Sequence, residues 1–340
     1  NHIYIKYFYF FAVVEYCSSG TQCLLSNFLG CVFYNFKNSE GNPCFLRYTE
    51  SNVHAISPHS MRTVYCVVPT HNRLNALKKC VDCLESQEYT DWELIVVDDG
   101  SSDGTDLYIR SIKSQNIHTI TGDGSLWFAG AMRLGINCAV EKAEKDDYLL
   151  ILNDDTMFDP DLMTILVKDA ESHPQALIGT LQKSSKDGKI LYKGFSIDYT
   201  KLEIMYSTNR VDALPTRGLF IPIWILKKVG SVKSFLFPHF MADIELTARA
   251  SDMGFQLKVS DQATILTDPE RSDNHIQNRG ILWALFHPRS RRNLFHRLIF
   301  FSIRGPNFLR MTAIPRYVLT RFWKLYKLLS LRIRSKISCD

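Results

Sequence analysis

Two neighbouring carboxylates carry the strongest chemical signal in this chain. Asp154 and Asp155 follow the apolar run Tyr148–Leu152 as Asn153-Asp154-Asp155-Thr156. Adjacent acids at the end of a buried strand repel each other and lose hydration, so a counter-charge must compensate. A divalent cation, which prefers oxygen ligands, meets that need. Asp155 could instead cap a helix, but Asp159, followed by Pro160, has the better spacing for an N-cap and a first helical residue. Two further polar clusters end apolar runs in the same way. Pro69-Thr70-His71-Asn72-Arg73 follows Val64–Val68, and Asp98-Asp99-Gly100-Ser101-Ser102-Asp103-Gly104 follows Leu94–Val97. A carboxylate can accept the imide N–H of a pyrimidine, and glycine lets backbone approach a ligand closely. The same residue types also form ordinary turns, so each of these two clusters alone reads either way.

The elements that must position these clusters alternate in kind. Short β-branched runs predict strands at 64–68, 94–97, 118–121, 148–152 and 176–180. Helical periods between them predict helices at 74–87, 105–113, 129–145 and 161–172. This order implies an α/β fold with a mainly parallel sheet covered on both faces and ligands at the carboxyl ends of its strands. After Gly188 the pattern becomes irregular, with strands expected at 190–197, 219–223 and 256–259 and a helix at 243–252.

The clusters together resemble the family 2 glycosyltransferases of GT-A fold, a Rossmann-like architecture. The stretch Gly122-Asp123-Gly124-Ser125-Leu126-Trp127-Phe128-Ala129-Gly130-Ala131 is similar to members that build bacterial surface polysaccharides, rhamnosyltransferases among them. The resemblance spans about residues 62–270. It implies that Asp99 reads the donor's pyrimidine, with Pro69, Thr70 and Arg73 lining the same pocket. Asp154 would face the ribose or the metal's hydration shell, and Asp155 would be the direct ligand of Mg²⁺ or Mn²⁺. Phe240-Met241-Ala242-Asp243-Ile244-Glu245-Leu246 is similar to the segment that supplies the catalytic base, which points to Asp243. Relatives often carry an acid where this chain has Ala242, and Asn where it has Arg133. An inverting transfer needs such a base, worth about 10²- to 10⁴-fold. Trp127 would border the donor sugar, while Arg217, Gly218 and Glu245 are candidates for the acceptor side. Glu245, two residues from Asp243 on a helix, points away from it. His239 and His275 are further candidates for the metal shell.

Composition bounds the rest. With 340 residues, 46% of them hydrophobic, the chain can bury a full core. Residues 1–60 differ in character from the rest of the chain: they are aromatic-rich, with four cysteines and no methionine before Met61. We expect Met61 to be the physiological start, residues 61–270 to form the catalytic domain, and residues 271–340 to be a basic helical extension. The rival for the first segment is an anchor, since Ile3–Val14 is largely apolar, although short and interrupted by Lys6. The net charge of +5 is uneven: residues 281–340 hold 13 Lys+Arg against one acid, a balance of 13 − 1 = +12. Leu319, Phe322, Tyr326, Leu329 and Ile333 recur at helical spacing, with Arg316, Lys324, Lys327 and Arg334 near the other face. Such a helix suits an anionic membrane surface, where each cation is worth about 1 kcal/mol. No reader fold for nucleic acid accompanies the charge. The Cys80-x-x-Cys83 spacing lacks a second pair for zinc, and the scattered thiols suit a reducing compartment.

The reading is therefore an inverting, metal-dependent glycosyltransferase. It would move a sugar from a UDP- or dTDP-sugar to a glycan or lipid-linked acceptor in surface polysaccharide synthesis, in the cytoplasm on the inner face of the membrane. One alternative is a sugar-phosphate nucleotidyltransferase. That would carry a Gly-rich basic loop after the first strand, where this chain has Pro69-Thr70-His71-Asn72. The other is a non-catalytic membrane-surface binding module of the same fold, against which Asp155 and Asp243 together argue.

Overall fold

The computed structural model describes strand backbone between residues 3 and 56, then residues 62–112, 116–268, 281–290, 293–306 and a few positions up to Leu319. His275 and the apolar stripe beyond Leu319 lie outside the described residues. The chain divides into two compact units, Asn1–Met61 and Arg62–Asp340. In the first, β1 (Ile3–Tyr7) and β2 (Phe10–Val14) form an antiparallel hairpin. There β3 (Leu24–Phe28), β4 (Cys31–Lys37), β5 (Pro43–Thr49) and β6 (Asn52–Ile56) make an antiparallel meander.

The second unit is built on an eight-stranded sheet in the order β12-β11-β15-β10-β7-β8-β9, with β16 paired to β11. Its first half alternates as expected: β7 (Val64–Thr70), α1 (Leu74–Glu85), β8 (Trp92–Asp98), α2 (Thr105–Ser111), β9 (Ile117–Thr121), α3 (Trp127–Lys142), β10 (Tyr148–Ile151), α4 (Leu162–Ser172) and β11 (Ala176–Ser184). The pairs β7–β8, β8–β9, β7–β10 and β11–β16 are parallel, while β15 (Leu219–Pro222) runs antiparallel to β10 and β11. The sheet is thus mainly parallel but mixed.

Burial on both faces explains the unbroken apolar runs. Along β7, Val64, Cys66 and Val68 face one core with Leu77, Val81 and Leu84 of α1 and Leu166 of α4. Tyr65 and Val67 face the other, with Met132 and Ile136 of α3. Gly135 lets α3 press close, since a Cβ there would meet Val67 Cγ1 at 2.4 Å.

The irregular half departs from expectation in detail. The strand foreseen over 190–197 breaks at Lys193 into β12 (Ile190–Tyr192), on β11, and β13 (Gly194–Asp198), which pairs with β14 (Glu203–Ser207). The run at 219–223 changes element after Pro222, because Ile223 opens α5 (Ile223–Val229). Then α6 (Ala242–Asp252) precedes β16 (Gln256–Thr267), far longer than the four residues foreseen. Asp159 does not cap α4. That helix starts at Leu162, whose N–H bonds the Asp159 carbonyl rather than its side chain. Finally, α7 (Ile281–Phe286) and α8 (Leu294–Arg304) complete the described helices, and Phe300 and Phe301 of α8 are buried in the same core as α3 and α6. The basic region is therefore not a free extension as far as Arg304. Among the described residues no helix is long and apolar enough to cross a membrane.

Candidate active site

The chain leaves β7 for β8 and β9 on one side and returns to β10 on the other. The order thus reverses at β7, and the carboxyl ends of β7, β8 and β10 are the place where an open α/β sheet commonly takes its ligand. The three polar clusters all open there. The loops after β7 and β8 are laced together by side chains. Asn72, at φ 52°, accepts from the Ser102 N–H at 2.7 Å, and its own N–H donates to Ser101 Oγ at 2.8 Å. Asp103 accepts from the first N–H of α1, on Leu74, and the first of α2, on Thr105, at 2.9 and 3.2 Å. One carboxylate thus caps two helices, favourable at both N-termini. An acid one residue from Gly104 carried that signal, but only the fold brings α1 to it.

Asp99 is buried, and its carboxylate has a structural task beside the role that the resemblance implies. Its Oδ1 accepts from the N–H groups of Gly124 at 2.9 Å and Leu126 at 3.2 Å, and its Oδ2 from that of Trp127 at 2.8 Å. The carboxylate anchors the 122–127 loop and the N-terminus of α3, which leaves one acceptor position on Oδ2. Pro69, paired to Val97 within the sheet, is buried and holds Thr70 in place. Trp127 stands at φ 55°, unusual for a bulky residue, a conformation that the bond to Asp99 helps to hold. Its ring faces Arg289, whose guanidinium carbon is 5.0 Å from the ring centroid. This neighbour comes from beyond α7 and has no local sequence signature.

The adjacent acids are differently placed. Asp154, 4% exposed, accepts from Thr70 Oγ1 at 2.9 Å, and Arg73 Nη1 lies 3.3 Å from its other oxygen. Burial pushes its carboxyl up to about 6, with Arg73 opposing and Asp155 adding to the rise. Asp155 is gripped from both sides, by Arg73 Nη2 at 2.9 Å and Arg217 Nη2 at 3.1 Å. The predicted need for a counter-charge is thus met here by two guanidinium groups. The donor set fits Mg²⁺ or Mn²⁺: two hard carboxylates at the mouth of a cleft. Among the described residues no group of three or more His, Cys, Asp or Glu gathers to enclose an ion. An ion there would draw its remaining ligands from water and phosphate, as Mg²⁺ commonly does.

Asp243 heads α6 just after Met241, which adopts φ 74°. Its carboxyl is half-buried and pushed up to about 6 by burial, which the N–H groups of Ile244, Asp243 itself and Thr216 partly offset. Ala242 is fully buried, so the helix enters the core at the position where relatives carry an acid. Thr216 is the neighbour of Arg217, so one dipeptide touches both Asp243 and Asp155. Contacts thus run unbroken from Asp99, through its N–H to the Thr70 carbonyl at 3.0 Å, to Asp154, Arg73, Asp155, Arg217 and Asp243.

Three candidates take other roles than the sequence suggests. Glu245 is fully buried and held by Lys233 and Arg249 at 3.0 Å each and by Arg304 at 3.7 Å, so it is sealed from any acceptor. Gly218, at φ 78°, is wedged where a Cβ would meet Thr180 Oγ1 at 2.3 Å; it shapes the backbone beneath Arg217. His239 packs by its ring on Phe128 and Phe240, and burial, helped by Arg289, pushes it down to about 4. No ligand cluster includes it among the described residues. Cys66, Cys80, Cys83 and Cys138 are free, and burial raises the Cys66 and Cys80 thiols.

An α/β sheet with an acidic cleft at its switch point defines a nucleotide-sugar transferase fold of GT-A type. Residues 65–222 match the model of glycosyl transferase family 2. The uncharacterized protein y4gI of Sinorhizobium fredii is 29% identical over 173 residues, 49% of this chain and 18% of that protein. The glycosyltransferase AglE of Haloferax volcanii is 23% identical over 199 residues, 57% and 63% of the respective chains. The chain thus spans less than two thirds of either relative. Among solved structures, TarS 1–349 of S. aureus superposes with TM-score 0.51 at 14% identity, over 77% of this chain and 72% of that one. GalNAc-T7 with UDP, GalNAc and Mn²⁺ gives 0.51 at 14% identity, over 64% and 45%. Both likenesses are of fold. Asp243 lies beyond the matched residues, and its place rests on the geometry above.

Proposed function

We propose that the chain is an inverting glycosyltransferase that moves a sugar from a UDP- or dTDP-sugar to a hydroxyl of a glycan or lipid-linked acceptor in surface polysaccharide synthesis. The carrying observation is the acid pair Asp154–Asp155 at the carboxyl end of β10, clamped by Arg73 and Arg217; Thr216, next to Arg217, also approaches Asp243, which supports a place for Asp243 in the same site. In this reading Asp243 takes the acceptor's proton as its oxygen bonds the anomeric carbon and the bond to the diphosphate breaks. A Mg²⁺ or Mn²⁺ ion, held by Asp155 and by Asp154 through water, would neutralise charge on the departing diphosphate. Asp99 supports the site through the loop it anchors, and its one open acceptor position can serve the base. The UDP and Mn²⁺ bound to GalNAc-T7 favour the same donor class, and the glycosyltransferase designation of AglE favours the same type of reaction.

Calorimetry with UDP and Mn²⁺ tests the donor reading. Wild type should bind UDP more tightly with Mn²⁺ than without, and Asp155→Ala should lose that difference. A variant that kept it would remove Asp155 as the ligand. We place the enzyme on the inner face of the cytoplasmic membrane, on the strength of the +12 balance in residues 281–340. Because α8 is part of the core, the chain to compare is one ending at Pro306. It should fold yet lose binding to anionic vesicles at low salt, and retained binding would refute the membrane role of the tail.

A further inference from the structure

We propose that Arg217 is a partner-exchanging positioning residue: it neutralises Asp155 while the donor site is free and passes to the donor's diphosphate when a divalent cation takes its place. The inference rests on the donor reading above. Its starting point is a conflict of charge. Each oxygen of Asp155 is held by a guanidinium group, at 2.9 and 3.1 Å, so a divalent cation that binds this carboxylate comes up against two positive charges and is opposed by them until one moves away.

The two arginines differ in what they can do next. Arg73 has a side chain 41% exposed and can move into water. Arg217 is 14% exposed, and its Nε is buried with no hydrogen-bond partner. Its stem is also fixed. The Arg217 carbonyl accepts from Gln182 Nε2 at 2.9 Å and Thr180 Oγ1 at 3.3 Å. The next N–H, on Gly218, donates to the Ile151 carbonyl at 2.8 Å. A buried guanidinium with an unsatisfied N–H, on a backbone that cannot retreat, must find another anion inside the cleft once it is displaced. The diphosphate that arrives with the cation is that anion, and the planar fork matches two of its oxygens.

The exchange predicts effects of opposite sign, which a merely structural arginine would not give. Full-length wild type, Arg217→Gln, Arg217→Lys and Arg73→Gln are titrated with MnCl₂ alone, followed by manganese EPR, and with UDP in saturating Mn²⁺ by calorimetry; melting curves confirm folding. Arg217→Gln should tighten Mn²⁺ alone about threefold or more, since a competing cation is gone. It should weaken UDP about tenfold or more, since a charged hydrogen bond is lost. Arg217→Lys should hold Mn²⁺ near wild type and recover only part of the UDP affinity. Arg73→Gln, at the more exposed of the two arginines, should also tighten Mn²⁺ but cost UDP less. Unchanged UDP affinity in Arg217→Gln, or equal weakening of both ligands, overturns the exchange. Wild-type UDP affinity independent of Mn²⁺ overturns it together with the metal's part in the donor reading, while nucleotide binding itself would stand, because the arginines would then hold diphosphate unaided. Wild type that binds no nucleotide at all removes both.

Discussion

Two acid–guanidinium clusters in this protein share their chemistry and differ in purpose. At the carboxyl ends of the strands, Asp154 and Asp155 are matched by Arg73 and Arg217, one of them largely open to water. Behind α6, the fully buried Glu245 is matched by Arg249, Lys233 and Arg304. Arg249 also donates to the Ser231 carbonyl at 2.9 Å, so this second cluster ties α6 to the end of α5 and to α8. In the first, Asp155 keeps some exposure between its two partners; in the second, the acid itself is sealed from water. Asp243 and Glu245 sit two positions apart on one helix and fall on opposite sides of this division. Packing, more than residue type, decides which acid can do chemistry.

The comparison breaks most sharply at these two acids. Asp243→Asn should stay folded and keep UDP affinity near wild type while turnover falls by about two orders of magnitude or more. Steady-state kinetics with near-normal turnover would remove Asp243 as the base. Glu245→Ala should do the reverse. It leaves Arg249 without its buried acid, at a cost of about 3–5 kcal/mol, whereas Arg304 keeps Asp252 at 3.0 Å. Chemical denaturation would register the loss, and whatever protein stays folded should retain its turnover per site. An effect on kcat without one on stability would restore Glu245 to the active site.

A gentler test uses the proton. With the Asp243 carboxyl pushed up to about 6, the base is protonated in mildly acidic solution. The kcat/KM of the free enzyme should therefore fall about tenfold per pH unit below that value and level off above it. The stability effect has the opposite sign. A folded-state pKa raised above the unfolded one means that the folded protein binds the extra proton. This contribution is complete below about pH 4 and is lost as pH rises through about 6. Melting temperatures of wild type and Asp243→Asn should therefore diverge in the variant's favour between about pH 4.5 and about pH 7.5. Parallel curves would show that the carboxyl is not held in its neutral form.

The residues that are legible from sequence share a local signature. Val64–Val68 and Leu94–Val97 read as buried strands because both faces of the sheet are covered, and the acids at their ends read as a site because they terminate those strands. The second half is less legible: Pro222 stands where a strand hands over directly to α5, and apolar Ile223 suits either element. The role of Asp99 is hidden for a similar reason. Its binding partners are main-chain N–H groups of the 122–127 loop, which carry no side-chain pattern for a sequence to reveal. Nor can spacing show that Arg73 and Arg217, far apart in the chain, close on one carboxylate.

The smallest effect concerns the link between the two halves of the site. Thr70 Oγ1 donates to Asp154 at 2.9 Å, and its removal leaves a buried carboxylate one hydrogen bond short. Thr70→Val should cost about 1–3 kcal/mol of stability. It should also raise the Asp154 carboxyl further, because burial already pushes it up and the hydroxyl is one of the groups opposing that. Metal binding needs the deprotonated acid, so Mn²⁺ affinity of the variant should drop more at about pH 6 than at about pH 8, while Thr70→Ser should restore both. A pH-independent loss would mean that Asp154 does not share the ion with Asp155, which would leave the exchange with Arg73 and Arg217 to a single carboxylate.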